Sequence, residues 1–143
     1  MIMTATKPNV IGVPGYSQEM CCTPEAAGHA RQLVETALST WSLGHLIEDG
    51  SLIISELVGN AAQHSGGLFL CFGVSLPAPY RVRFAVSDTS AESPTLHRPG
   101  PGRDEESGRG LFIVHELAHR WGSEYWHSGK VVWAELLSAE EDS

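Results

Sequence analysis

Residues 108–122, GRGLFIVHELAHRWG, carry two chemical patterns in one stretch. Gly108-Arg109-Gly110 stand before an apolar run. Glycines ahead of a helix let unpaired backbone N–H groups approach an anion such as phosphate. His115-Glu116-Leu117-Ala118-His119 matches H-E-x-x-H, in which two histidines one helical turn apart hold zinc and the glutamate serves as general base. Upstream, Glu56 and Asn60 are four residues apart and so share one helix ridge. An amide oxygen can coordinate Mg²⁺ while a carboxylate one turn away orients or deprotonates a nucleophile. Asp88 closes the strand-like run AVSD, where it can accept hydrogen bonds from a ligand amino group.

The zinc pattern stands in poor surroundings. A catalytic zinc needs a third protein ligand. Downstream of His119 only Glu124, His127 and Glu135 qualify by type, and they fall in a segment that reads as a hairpin. The longer H-E-x-x-H-x-x-G-x-x-H form is absent. A partly exposed helix face with two histidines is the simpler reading. There is also no phosphate loop of the G-x-x-x-x-G-K-[ST] kind, since Gly129-Lys130 is followed by Val131.

The elements that must position these residues follow from periodicity. The first 20 residues are rich in Pro, Gly and polar types and read either as holding one edge strand near Val10–Val13 or as partly disordered. Thr23-Pro24-Glu25 predicts a helix start with Thr23 as N-cap and Pro24 at the first helical position. Ala27, Ala30, Leu33, Val34, Ala37, Leu38 and Trp41 then recur at helical spacing. A second helix is expected over 46–63, ended by His64-Ser65-Gly66-Gly67. Two strands follow, over 68–76 and 80–87. In the second, Val82, Phe84 and Val86 alternate with Arg81, Arg83 and Ala85.

Residues 88–110 hold almost no large apolar side chain and read as a long lid. A third helix is expected over 111–121, with Leu111, Val114, Ala118 and Trp121 as its core stripe. Strands over 123–127 and 130–137 would close the domain as a hairpin. The expected organisation is an N-terminal segment 1–20, one domain over 21–137, and an acidic tail 138–143. Grouped helices with hairpin strands predict an α+β two-layer sandwich, with a mixed, mostly antiparallel sheet and helices on one face.

Composition narrows the partners. The net charge of −8 gives nucleic acid and anionic membranes little to hold. Neither a signal peptide nor a transmembrane run is visible. Cys21, Cys22 and Cys71 form no C-x-x-C pair and read as small buried hydrophobes in a reducing compartment, so a cytoplasmic location is expected.

Taken in order, SELVGNAAQHSGG, AVSDTS and GRGLFIVHELAHRWG, with GKVVWAEL closing the domain, resemble the N-box, G1 box, G2 box and last strand of the GHKL ATPase superfamily. The similarity is to its stand-alone anti-sigma-factor serine kinases, the histidine-kinase-like ATPase domains abundant in actinomycetes. It covers about residues 25–137. The resemblance implies the Bergerat ATP-binding fold with ATP under a lid. It implies that Asn60 holds Mg²⁺ and that Glu56 is the general base for attack by a partner's serine. Asp88 would bind the adenine amino group, and Gly108, Arg109, Gly110 and the Leu111 amide would cradle phosphates. The implied partners are an anti-anti-sigma protein and a sigma factor, and relatives of this kind are often homodimers. Three positions depart from the usual pattern: Ser90 replaces the G1 glycine, Gly59 replaces a larger residue, and Val131 replaces a hydroxyl residue near adenine. These departures keep open a second reading, an ATP-binding module that is catalytically weak or inactive and works by gripping a partner. A zinc hydrolase through His115, Glu116 and His119 is the remote third.

Overall fold

The computed structural model describes residues 14–64, 69–88, 105–126 and 129–139. Strand β1 (Gly15–Cys21) leads into helix α1 (Ala26–Thr40). A short 3₁₀ turn (Gly44–Leu46) opens helix α2 (Ile47–His64). Strands β2 (Phe69–Ala78) and β3 (Arg81–Asp88), helix α3 (Glu105–Leu117), and strands β4 (Arg120–Trp126) and β5 (Gly129–Leu137) complete the chain. The strands form one open sheet in the order β1-β2-β3-β5-β4, with every neighbouring pair antiparallel. The fold is α+β, as expected, but the described sheet is wholly antiparallel rather than mixed.

One core joins the two layers. Leu33, Val34 and Leu38 of α1 and Ile53, Ile54 and Leu57 of α2 are buried with Phe72, Val82, Phe84 and Ala134 of the sheet. Strand alternation produces this: Val82, Phe84 and Val86 are buried, while Arg81, Arg83, Ala85 and Ser87 between them stay partly open. The described helices therefore cover one sheet face, and no described helix lies on the other. Among the described residues no helix is long and apolar enough to cross a membrane.

Several boundaries differ from those expected. The strand proposed near Val10–Val13 lies outside the described residues. The strand observed is Gly15–Cys21, paired along β2 from Ser75 to Phe69. Thr23 does not cap α1 with its side chain. Its carbonyl accepts from the Ala26 N–H (2.9 Å), and Glu25 stands at the N-cap without a side-chain cap hydrogen bond. Cys21 is exposed and Cys22 and Cys71 are half-buried, so the expected burial of all three fails; all are free thiols. The acidic tail is anchored where it begins. The Ser138 N–H donates to the Tyr80 carbonyl (2.7 Å), and its hydroxyl pairs with His45 Nε2 (2.9 Å).

The largest correction concerns α3. It starts at Glu105 and ends at Leu117, against an expected span of 111–121. At its end the Ala118 N–H closes the last turn on Val114 (2.8 Å). The His119 N–H then goes to the Glu135 carbonyl (2.7 Å) and starts the sheet. Trp121 sits opposite Ala134 on β4, packed against the core from a strand and not from the helix stripe expected. The hairpin accordingly begins at Arg120, three residues before its expected start.

Candidate functional site

The topology fixes which end of the molecule Glu56, Asn60 and Asp88 share. Gly50 of α2 lies directly on Phe84 of β3, so close that a β-carbon there would be 2.8 Å from the ring. The end of α2 at His64 is tied by residues 65–68 to the start of β2, where Leu70 pairs with Asp88. α2 and β3 therefore advance in the same direction. Nine residues of helix from Gly50 rise about 13 Å. Four residues of strand from Phe84 to Asp88 advance about the same distance. Asp88 thus comes level with Gly59 and Asn60 at one end of the helix–sheet layer.

The side chains suit an opening there. Glu56 and Asn60 are half-buried on α2, beside buried Leu57, Val58 and Ala61. Asp88 is only 4% exposed, on the helix-covered face where Val82, Phe84 and Val86 also lie. A glycine at 59 suggests close approach by a neighbour or a ligand; among the described residues a β-carbon there would meet nothing within 4 Å.

Helix α3 lies beside α2 and packs against it. It finishes beside Glu135, whose strand partner Arg83 lies five residues before Asp88 on β3. Gly108, Arg109 and Gly110 are not the free donors expected. They lie within the helix. In a helix opening at Glu105 the unpaired N–H groups belong to the first turn, and the amides of Gly110 and Leu111 are inside the hydrogen-bond ladder. The sequence Glu105-Glu106-Ser107 explains the early start, because carboxylate residue types favour a first turn.

The H-E-x-x-H pattern does not form a zinc face. α3 ends at Leu117, so His119 leaves the helix and is not one turn above His115. His115 Nδ1 accepts a hydrogen bond from Trp121 Nε1 (3.2 Å). Among the described residues no group of three or more His, Cys, Asp or Glu side chains could hold a metal. Glu135, one of the proposed third ligands, is engaged elsewhere. His127 lies outside the described residues.

Glu135, named from sequence only as a possible zinc ligand, sits instead in an arginine cluster that sequence reasoning missed. Its carboxylate is fully buried, with Oε2 accepting from Arg83 Nε (2.9 Å) and Nη2 (2.8 Å), and Oε1 from Arg120 Nε (2.9 Å). Arg81 Nε stands 4.0 Å from Oε1. Burial pushes the Glu135 carboxyl up, but the Arg120 and Arg83 hydrogen bonds and charges outweigh it and hold it below the usual carboxylate range. The Trp133 ring lies under two of these cations, with the Arg83 guanidinium 4.5 Å and the Arg120 guanidinium 5.4 Å from its centroid. The sequence signal was the alternation that puts Arg81, Arg83, Trp133 and Glu135 on one face. Arg120 could not be added while it was read as helical.

No protein-family model matches the chain, and no curated protein matches it.

Proposed function

We propose that the chain binds Mg·ATP at the end of the helix–sheet layer marked by Asn60 and Asp88. There it acts as a GHKL-type serine-protein kinase on an anti-anti-sigma partner and also sequesters a sigma factor. The observation that supports this reading is that the direction of α2 along β3 brings the half-buried Glu56–Asn60 ridge level with the buried Asp88, beside which α3 packs on α2. In this reading the Asp88 carboxylate accepts from the adenine amino group. Asn60 supplies an amide oxygen for Mg²⁺, which would neutralise phosphate charge. Glu56 takes the proton of the partner's serine hydroxyl as that oxygen bonds to the γ-phosphorus. The bond from the γ-phosphorus to the bridging oxygen breaks, and ADP leaves.

Phosphate contact by Gly108, Arg109, Gly110 and the Leu111 amide requires the first turns of α3 to unwind. Two glycines favour that, since each weakens a helix by about 1 kcal/mol relative to alanine. The same wound helix favours the second reading, a partner-binding module with weak or absent transfer, because those donors are then committed to the helix. Titration calorimetry with ATP and Mg²⁺ tests the site, and labelled-phosphate transfer to a cognate partner separates the readings. Asn60→Ala is expected to weaken Mg·ATP binding at least about tenfold. Glu56→Gln is expected to retain binding and lose transfer by about a hundredfold or more. Unchanged nucleotide affinity in Asn60→Ala would remove the basis of the proposal. Tight partner binding without transfer would leave the module.

A further inference from the structure

On the sheet face where no described helix lies, charge is unevenly matched. Arg83, Glu135 and Arg120 stand side by side on β3, β5 and β4, and Arg81 is two residues from Arg83 on the same face. Three guanidiniums share one carboxylate, which leaves the cluster two charges positive in a chain whose net charge is −8. Both oxygens of Glu135 are already engaged, Oε2 by Arg83 and Oε1 by Arg120. Arg81 has no such acceptor. Its Nε is buried without a hydrogen-bond partner among the described residues and stands 4.0 Å from Oε1. All three arginine side chains remain open to solvent, 43% for Arg81, 37% for Arg83 and 55% for Arg120. The cluster is therefore short of carboxylate and accessible to more of it.

The chain leaves the sheet beside this cluster. Arg81 pairs with Leu137, the last residue of β5. Ser138 follows, pinned through its N–H to the carbonyl of Tyr80, the neighbour of Arg81, and through its hydroxyl to His45. Beyond the exposed Ala139 the sequence runs Glu140, Glu141, Asp142, three carboxylates in succession that lie outside the described residues. The far end of the same face offers them only repulsion, since Glu19 and Glu124 are exposed there.

We infer that Arg81, Arg83 and Arg120 form a binding site for a carboxylate-rich peptide segment, and that its occupant is residues 140–142 of the same chain, folded back over Leu137. The connection is long enough. Arg81 lies level with Leu137, about 7 Å back along the strand from Ala139, and three further residues reach up to about 10 Å. The row of Arg83 and Arg120 is about 7 Å beyond Arg81, a gap that long arginine and glutamate side chains close. Three carboxylates supply the acceptor that Arg81 lacks and offset the two unmatched positive charges. The segment also covers Leu137, which is otherwise 46% exposed. Single pairs at a wet surface are weak, but a short tether holds the segment at a millimolar effective concentration. This inference is independent of the nucleotide reading.

Nuclear magnetic resonance of the isotope-labelled full chain tests it. The signals to follow are the Nε–Hε pairs of the three arginines and the indole of Trp133, whose ring centroid is 4.5 Å from the Arg83 guanidinium and 5.4 Å from that of Arg120. Glu140→Gln/Glu141→Gln/Asp142→Asn removes the charges and keeps the side-chain shapes. At low salt it is expected to shift these signals. Raising salt from about 0.01 M to about 1 M, which shortens the screening length from about 30 Å to about 3 Å, should move the wild-type signals toward those of the triple variant. A peptide of the sequence AEEDS, residues 139–143 blocked at both ends, is the probe in trans. It should bind the triple variant at least about threefold more tightly than wild type, because the tethered segment no longer competes, and Arg81→Gln added to the triple variant should weaken that binding. Arginine signals that coincide in wild type and triple variant at low salt would overturn the inference. So would a peptide that binds both equally or binds neither.

Discussion

Two glycines in α2 should respond to the same substitution with opposite signs. Alanine in place of an interior helical glycine is worth about 1 kcal/mol of helix propensity. At Gly59 no described residue opposes that gain, because among them a β-carbon there has no neighbour within 4 Å. At Gly50 the β-carbon would stand 2.8 Å from Phe84 Cζ, 3.0 Å from Cε1 and 3.3 Å from Val34 Cγ1. Carbon pairs prefer about 3.5–4.0 Å, so the Phe84 ring must retreat by roughly 0.7 Å or more. Phe84 is fully buried in a close-packed core and is not the free end of a flexible chain. Overpacking of this kind costs about 1–3 kcal/mol. The net expectation is a loss of about 1 kcal/mol for Gly50→Ala and a gain of about 1 kcal/mol for Gly59→Ala. For a domain of this size each corresponds to about 3–4 °C in Tm. Differential scanning calorimetry of the two variants reads the difference directly. Equal stabilisation by both would mean that α2 does not lie on Phe84, and the alignment of Asn60 with Asp88 would lose its anchor.

Glu135 should make the protein sensitive to acid. Its folded-state carboxyl titrates below the ordinary range, so its contribution is fully present above the unfolded value of about 4.3 and is lost as pH falls through the folded value. Thermal melts from about pH 6 to pH 3 should therefore show a steeper fall for wild type than for Glu135→Gln, and parallel curves would contradict the arginine clamp. At neutral pH Glu135→Gln should lose about 1–3 kcal/mol, held to that range because the arginines are partly exposed and can rehydrate. Protein dialysed after incubation with zinc should retain no stoichiometric metal, as read by elemental analysis. One equivalent that disappears in His115→Ala would restore the hydrolase reading.

The parts of this fold that the sequence made legible are those where one face alone decides. β3 alternates without a break from Arg81 to Asp88, and α1 and α2 repeat apolar residues at helical spacing, so all three were readable. β1 was not, because its core-facing positions are Tyr16, Gln18 and Met20. The buried polar Gln18, only 3% exposed, breaks the apolar signature. Both ends of α3 misled for separate reasons. Its start lies in a Pro-, Gly- and charge-rich stretch that reads as loop, although Glu105-Glu106-Ser107 is good first-turn chemistry. Its end was overridden by tertiary structure. Ala118 and Trp121 fit the helical stripe, but the Glu135 carbonyl captures the His119 N–H and turns the chain into β4. That one hydrogen bond removes the H-E-x-x-H face that local sequence made plausible.

The candidate site was legible in its residues and illegible in its assembly, and the reason lies in chain connection. Nothing in SELVGN specifies which end of a sheet it will meet. The meeting with Asp88 follows from two facts at a distance from both. The link from His64 to Phe69 is too short to cross the sheet, since four residues span at most about 14 Å, and β2 returns antiparallel beside β3 so that its first residues pair with its neighbour's last. Those facts force the C-terminal half of α2 and the C-terminal end of β3 to one place, whatever side chains they carry. α3 is fixed at its end beside Glu135, toward the opposite end of the sheet, and packs on α2. Substitutions at Glu56, Asn60 or Asp88 should therefore alter what is bound there without altering that they converge. A lengthened 65–68 link is the change that would separate them.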